Sequence, residues 1–171
     1  MNIDNLRFVW VAHNDPQSIE EVRLALSSFN PDIICLELTI EIMKKLLKSK
    51  LRFKSEMFLA YRYAVENNKR LIFLEKDQER ALFLMDISII KLLYLLFIFI
   101  CRNLKNILSF NKLEKIDPRM ISWLSKLLIE ERDKLLTKKI KTITNNYPHK
   151  RILFVIGKAH KEGILRLLKC S

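Results

Sequence analysis

Glycine is nearly absent from this chain, with two copies in 171 residues, where an average sequence of that length would carry about a dozen. Proline occurs four times. That scarcity argues against a turn-rich chain and for much helix. The three cysteines, Cys35, Cys101 and Cys170, are odd in number and far apart. With no secretion signal beside them they read as buried or free thiols in a reducing compartment, not as a disulfide framework. The first residues, Met1 to Arg7, hold no apolar signal region, so export is not supported and a cytoplasmic protein is expected. No phosphate-binding Gly-rich loop, dinucleotide glycine fingerprint, His-Glu-x-x-His helix or Gly-x-Ser-x-Gly elbow is present. Their absence removes the commonest nucleotide, zincin and serine-hydrolase readings.

Long apolar runs are missing too. The longest uncharged one of note, Leu92 to Cys101, has ten residues, with Asp86 and Lys91 ahead of it. A membrane span needs about 20. A buried core helix or a homodimer contact is expected there, with interfacial membrane attachment as the alternative. There is no internal repeat and no linker able to divide the chain, so a single domain over 1–171 is expected.

Charge is plentiful and one-sided: 31 Lys and Arg against 19 Asp and Glu, a formal net charge of +12. The basic residues are mostly lysines scattered through helical stretches, with no recognition-helix, RRM or zinc-finger pattern to organise them. They read as a solvated face and not as a specific nucleic-acid surface. Anionic partners or a membrane surface are the alternative.

What is present is an alternation of strands and helices. Leu6 to Val11, Ile33 to Leu36, Arg70 to Glu75 and Ile152 to Ile156 are short apolar or β-rich runs, as expected of strands buried in a parallel sheet. Asp15-Pro16 starts a helix with an apolar face of Ile19, Val22, Leu24, Ala25, Leu26 and Phe29. Thr39 and Ser55-Glu56 open two more. Asp117-Pro118 opens a long amphipathic helix from Arg119 to about Ile143, with Trp123, Leu127, Leu128, Leu135 and Leu136 as its apolar side. A last helix runs from Ala159-His160 through Leu168. The pattern predicts an α/β fold, a mainly parallel sheet of about four strands flanked by helices, with a helix-rich second half.

Right-handed crossovers put all the strand ends on one edge, where open α/β sheets bind ligands. Each predicted strand ends on a polar group: His13, Glu37, Asp77 and His160. Two imidazoles and a carboxylate converging there could hold a divalent metal and activate water, with His13, His160 and Glu37 as ligands. The same groups could instead act as bases without metal, and at ordinary loop ends they could simply cap helices. His149 falls at the opposite edge and reads as a surface residue. Both glycines, Gly157 and Gly163, flank His160.

The ordered set Ala12-His13, Pro31-Asp32-Ile33-Ile34-Cys35-Leu36-Glu37-Leu38, Ser55-Glu56-Met57, Glu75-Lys76-Asp77, Glu131-Arg132-Asp133 and Gly157-Lys158-Ala159-His160-Lys161-Glu162-Gly163-Ile164 resembles the TraB/PrgY family. That family includes the pheromone-shutdown proteins and is similar to the Tiki proteases and, more distantly, to the erythromycin esterases. The resemblance spans nearly the whole chain. It implies a pocket lined by two Gly-x-x-His elements and family glutamates, with metal-dependent peptide hydrolysis proposed for the Tiki branch. Carried over, His13 and His160 are the motif histidines, and Glu37 and Glu56 the motif glutamates. Glu131 and Arg132 match the Glu-Arg-Asp helix, and with Asp77, Gly157 and Gly163 they would contact substrate. The first Gly-x-x-His reads Trp10-Val11-Ala12-His13 here, Ile42 replaces the arginine that follows the strand-two glutamate, and Asp-Arg-Asp is Glu75-Lys76-Asp77. The function implied is a hydrolase of peptide-like substrates, with a non-catalytic peptide- or pheromone-binding protein as the alternative.

Overall fold

In a computed structural model, residues 5–13, 15–50, 54–76 and 118–169 are described, the side chains of the last span from residue 129 onward. The elements are β1 (Leu6–Val11), α1 (Pro16–Phe29), β2 (Ile33–Leu36), α2 (Ile40–Lys48), α3 (Glu56–Glu66), β3 (Arg70–Phe73), α4 (Pro118–Asn146), β4 (Ile152–Gly157), a 3-10 turn (Lys158–His160) and α5 (Lys161–Lys169). Asp77, the 92–101 segment, Cys101, Cys170 and Asp117 lie outside the described residues. By its contacts the chain divides into two units, Met1–Lys76 with Leu127–Ser171, and Asp77–Lys126. The four-stranded sheet belongs to the first unit.

The sheet has four strands in the order β1-β4-β2-β3, all parallel. β4 is central, and Ile152, Leu153, Phe154, Val155 and Ile156 are all fully buried. Each such side chain contributes roughly 1.5–3 kcal/mol by leaving water. Alternation along the strands sends Val9, Val11, Ile34, Leu36, Leu153 and Val155 to one face, against Val22 and Leu26 of α1 and Met57 and Ala60 of α3. Ile33, Cys35, Ile152, Phe154 and Ile156 go to the other, against Leu136 and Ile140 of α4 and Ile164 of α5. Burial pushes the Cys35 thiol far up, so this cysteine is an inert core residue.

Stepping from β1 to β2 to β3 keeps α1 and α3 on one face, and the return to β4 puts α4 and α5 on the other. The loops after β1 and β2 therefore diverge from the loop after β4. In open α/β sheets such a divergence, outside the carboxyl ends of the strands, is where ligands bind.

Helix boundaries follow local chemistry. Asp15 caps α1 by accepting from the Ser18 N–H at 3.1 Å, with Pro16 as first residue. Thr39 and Ser55 cap α2 and α3. With no glycine to spare, left-handed positions fall to asparagine: Asn30 ends α1 at φ 43°, and Asn68 follows α3 at φ 53°.

Two apolar assignments are corrected. Leu24 is 55% exposed and Leu135 is 54% exposed. The buried stripe of α1 is Ser18, Val22, Ala25 and Leu26. That of α4, among the side chains described from residue 129 onward, is Asp133, Leu136, Thr137, Ile140 and Thr144, the spacing of one helical face. Each stripe includes polar residues that hydrophobicity does not select, and both leucines lie off it. The third strand is also shorter than expected, ending at Phe73, and a 3-10 turn precedes α5.

Candidate functional site

The loop after β1 is held by α1. The Ser18 hydroxyl accepts the Ala12 N–H at 2.9 Å and donates to Asp15 at 3.0 Å. His13 is thus fixed at the rim, with its side chain 63% exposed. Its Nδ1 lies 2.6 Å from Oε1 of Glu56, the first residue of α3, which is 1% exposed. A carboxylate accepts from Nδ1–H, so the neutral ring keeps Nε2 as its lone-pair nitrogen. The Glu56 hydrogen bond, and then the charges of Glu56 and Glu37, raise the His13 pKa against desolvation and Arg132.

His160 is different. It is buried, with Nδ1 2.6 Å from Oδ1 of Asp133 and Nε2 3.2 Å from Oε1 of Glu37. With a carboxylate on each nitrogen the ring is placed to donate from both, which favours its protonated form. Burial alone would depress its pKa, but Glu37 and Asp133 outweigh that and raise it.

Glu37 is the hub. Its Oε2 accepts the Gly157 N–H at 2.5 Å, and its Oε1 accepts from Arg132 at 2.8 Å. Arg132 also donates to Glu75. Burial would raise the Glu37 pKa, but the partners His160, Gly157 and Arg132 lower it overall.

Gly157 forms the floor. A Cβ there would sit 3.2 Å from Oε2 of Glu37, 3.8 Å from Cδ2 of His160 and 3.9 Å from Nε2 of His13. Neither glycine has a positive φ, so what glycine supplies is space, modestly at Gly157 and decisively at Gly163. A Cβ on Gly163 would lie 1.8 Å from Oδ2 of Asp133.

Of the expected residues, His13, Glu37, Glu56, Gly157, His160 and Arg132 converge here, and Gly163 underlies Asp133. Glu131 points to solvent, paired with Lys134 at 2.6 Å. His149 is exposed, by the loop before β4. Asp77 is outside the described residues. Asp133 and Glu75 were not singled out from the sequence as site residues. The close spacing of Gly163 to His160 was the available hint of a crowded neighbour. Ile42 is half-buried, and the cation facing Glu37 is Arg132 instead. The ladder pairs Val11, not Trp10, with Gly157, so the two histidine loops are offset by one residue. The Trp10 ring stacks on Phe8 at 5.4 Å.

A metal shared by His13, His160 and Glu37 would have to compete with partners that His160 and Glu37 already have. Both nitrogens of His160 face carboxylates, and both oxygens of Glu37 accept hydrogen bonds. Among the described residues no group of three or more His, Cys, Asp or Glu could hold a metal ion.

The ion cluster makes stability depend on pH. His160 has a raised pKa, so its contribution is complete below its unfolded value of 6.5 and lost as pH rises through the folded value. The excess melting temperature of wild type over His160→Gln should therefore shrink above neutrality. A constant difference from pH 5 to 9 would mean His160 is not charged in the fold.

Fold and site together define a parallel α/β protein with an exposed, carboxylate-paired histidine at the carboxyl ends of its strands and a buried ion cluster beside it. No family model, no curated protein and no solved structure matches the chain. No helix of the described residues is long and apolar enough to cross a membrane.

Proposed function

We propose that the chain is a hydrolase acting on peptide-like substrates, with His13 as its general base. The observation that carries this is the His13–Glu56 pair: Nδ1 anchored on a buried carboxylate, and Nε2 at the strand ends, 3.9 Å from where a Cβ on Gly157 would sit. Nε2 would take a proton from water as its oxygen attacks the peptide carbonyl. Glu56 would stabilise the imidazolium, and the same proton would pass to the leaving amine. Arg132, whose charge both histidines feel, would face the developing oxyanion. His160 and Glu37 hold the floor in this reading. The motif resemblance to the TraB/PrgY and Tiki proteins supports the same class of substrate. The protein would work in the cytoplasm as a homodimer through the 92–101 segment, with peripheral membrane contact as the alternative.

A second reading, a peptide-binding protein without turnover, is favoured by one observation: Glu37 and His160 are buried and already engaged with each other and with Gly157, Arg132 and Asp133. Hydrolysis of a fluorogenic peptide library, with and without added divalent metal, separates the two. Since the His13 pKa is raised, the rate should climb with pH through a value above the ordinary 6.5. His13→Gln should lose about 10²–10⁴-fold and the pH limb with it. Turnover that survives this substitution would remove His13 as the base, and no turnover under any condition leaves the binding protein.

A further inference from the structure

β1 is an outer strand of the sheet, and among the described residues nothing pairs with its free edge. Six residues of extended backbone there carry no proline and no bulge, since all six pair one-to-one with β4. A groove of about 360 Å³ runs beside it. The rings of Phe8 and Trp10 lie on one side of the strand, and the exposed Leu24 of α1 on the other. Arg7, Lys158 and Lys161, all exposed, supply three positive charges to the same groove, against one carboxylate, Glu21. Arg7 is oriented by a 2.8 Å hydrogen bond to Ser28.

We infer that the β1 edge is a docking site for an extended acidic peptide, which adds to the sheet beside β1. An unpaired edge offers main-chain donors and acceptors to such a strand. Alternate side chains of the incoming strand point to opposite faces, so apolar ones can meet Phe8 and Trp10 while acidic ones meet the lysines and Arg7. A second copy of the chain fits poorly. A two-fold contact would set Arg7, Lys158 and Lys161 against themselves in a protein already at +12. The edge leads toward His13, two residues past Val11, so a docked strand would approach that histidine. The inference concerns binding alone, and a bound but uncleaved peptide would count only against the hydrolase reading.

Fluorescence anisotropy of labelled acetyl-(Val-Glu)₄-amide with the full chain tests it. The Val-Glu peptide should bind, and acetyl-(Val-Lys)₄-amide should not. N-methylation of alternate amides, made in both frames, should abolish binding in the frame that faces β1. The exposed double substitution Lys158→Glu/Lys161→Glu, with an unchanged melting temperature, should weaken binding at least tenfold. No binding, equal binding of the Val-Lys peptide, or equal binding of both N-methylated forms would overturn the proposal. So would an RNA oligomer that displaces the peptide and binds more tightly at the same lysines, leaving only charge attraction. Concentration-dependent protection of the β1 amides from hydrogen exchange, marking self-association, would do the same.

Discussion

Gly163→Ala is expected to destabilise the protein by about 2–4 kcal/mol, the cost of overpacking together with a displaced buried hydrogen bond. The sign is what makes it informative. Gly163 lies in α5 with no positive φ, and helix propensity alone would make alanine more stable by roughly 1 kcal/mol. The added methyl, however, would fall 1.8 Å from Oδ2, 2.6 Å from Cγ and 3.2 Å from Cβ of Asp133. The carboxylate must then leave the position from which it meets Nδ1 of His160 at 2.6 Å. His160 would keep only Glu37 for its second proton. Urea titration measures the loss, and Asp133→Ala supplies the control. With the carboxyl gone the worst overlap disappears, so Gly163→Ala should cost much less in that background, a coupling of about 1–3 kcal/mol. An alanine variant as stable as wild type would place the Asp133 carboxylate elsewhere.

The four strands were legible because a doubly covered parallel sheet needs continuous apolar runs, and Ile152 to Ile156 is one. The end of each strand, and so the edge where His13, Glu37 and His160 meet, followed from strand order being constrained by handedness. The pairing of those groups was not legible. Nothing in the spacing says that His13 takes Glu56 across 43 positions while His160 takes Asp133 and Glu37. The two histidines look equivalent as motif residues, yet the Val11–Gly157 register leaves one at the rim and one in the floor. Leu24 and Leu135 were misplaced because a helix buries a stripe, and Ser18, Asp133 and Thr137 occupy that stripe for hydrogen bonding or packing, not for hydrophobicity.

Glu37→Gln is the second change with a large expected effect, and it decides what the buried cluster is for. The Glu37 side chain is 5% exposed and its two oxygens serve Gly157, Arg132 and His160. Glutamine keeps the shape but lacks the charge, and its amide nitrogen must face one of those donors. Arg132 retains Glu75 and is partly exposed, so the loss should fall near about 3 kcal/mol, the lower end for a broken buried pair. It should also depend on pH. Glu37 has a lowered pKa, so its stabilisation is complete above the unfolded value of 4.5 and is lost as pH falls through the lower folded value. Wild type and variant should therefore converge in melting temperature toward acid. Turnover separates structure from chemistry. If His13 with Glu56 is the base, Glu37→Gln should lower activity roughly as it lowers the folded fraction, leaving the pH limb of the rate in place. Glu56→Gln should instead shift that limb, because the group that raises the His13 pKa loses its charge. A Glu37→Gln protein that melts like wild type but has lost turnover would reverse the assignment and make Glu37 the base.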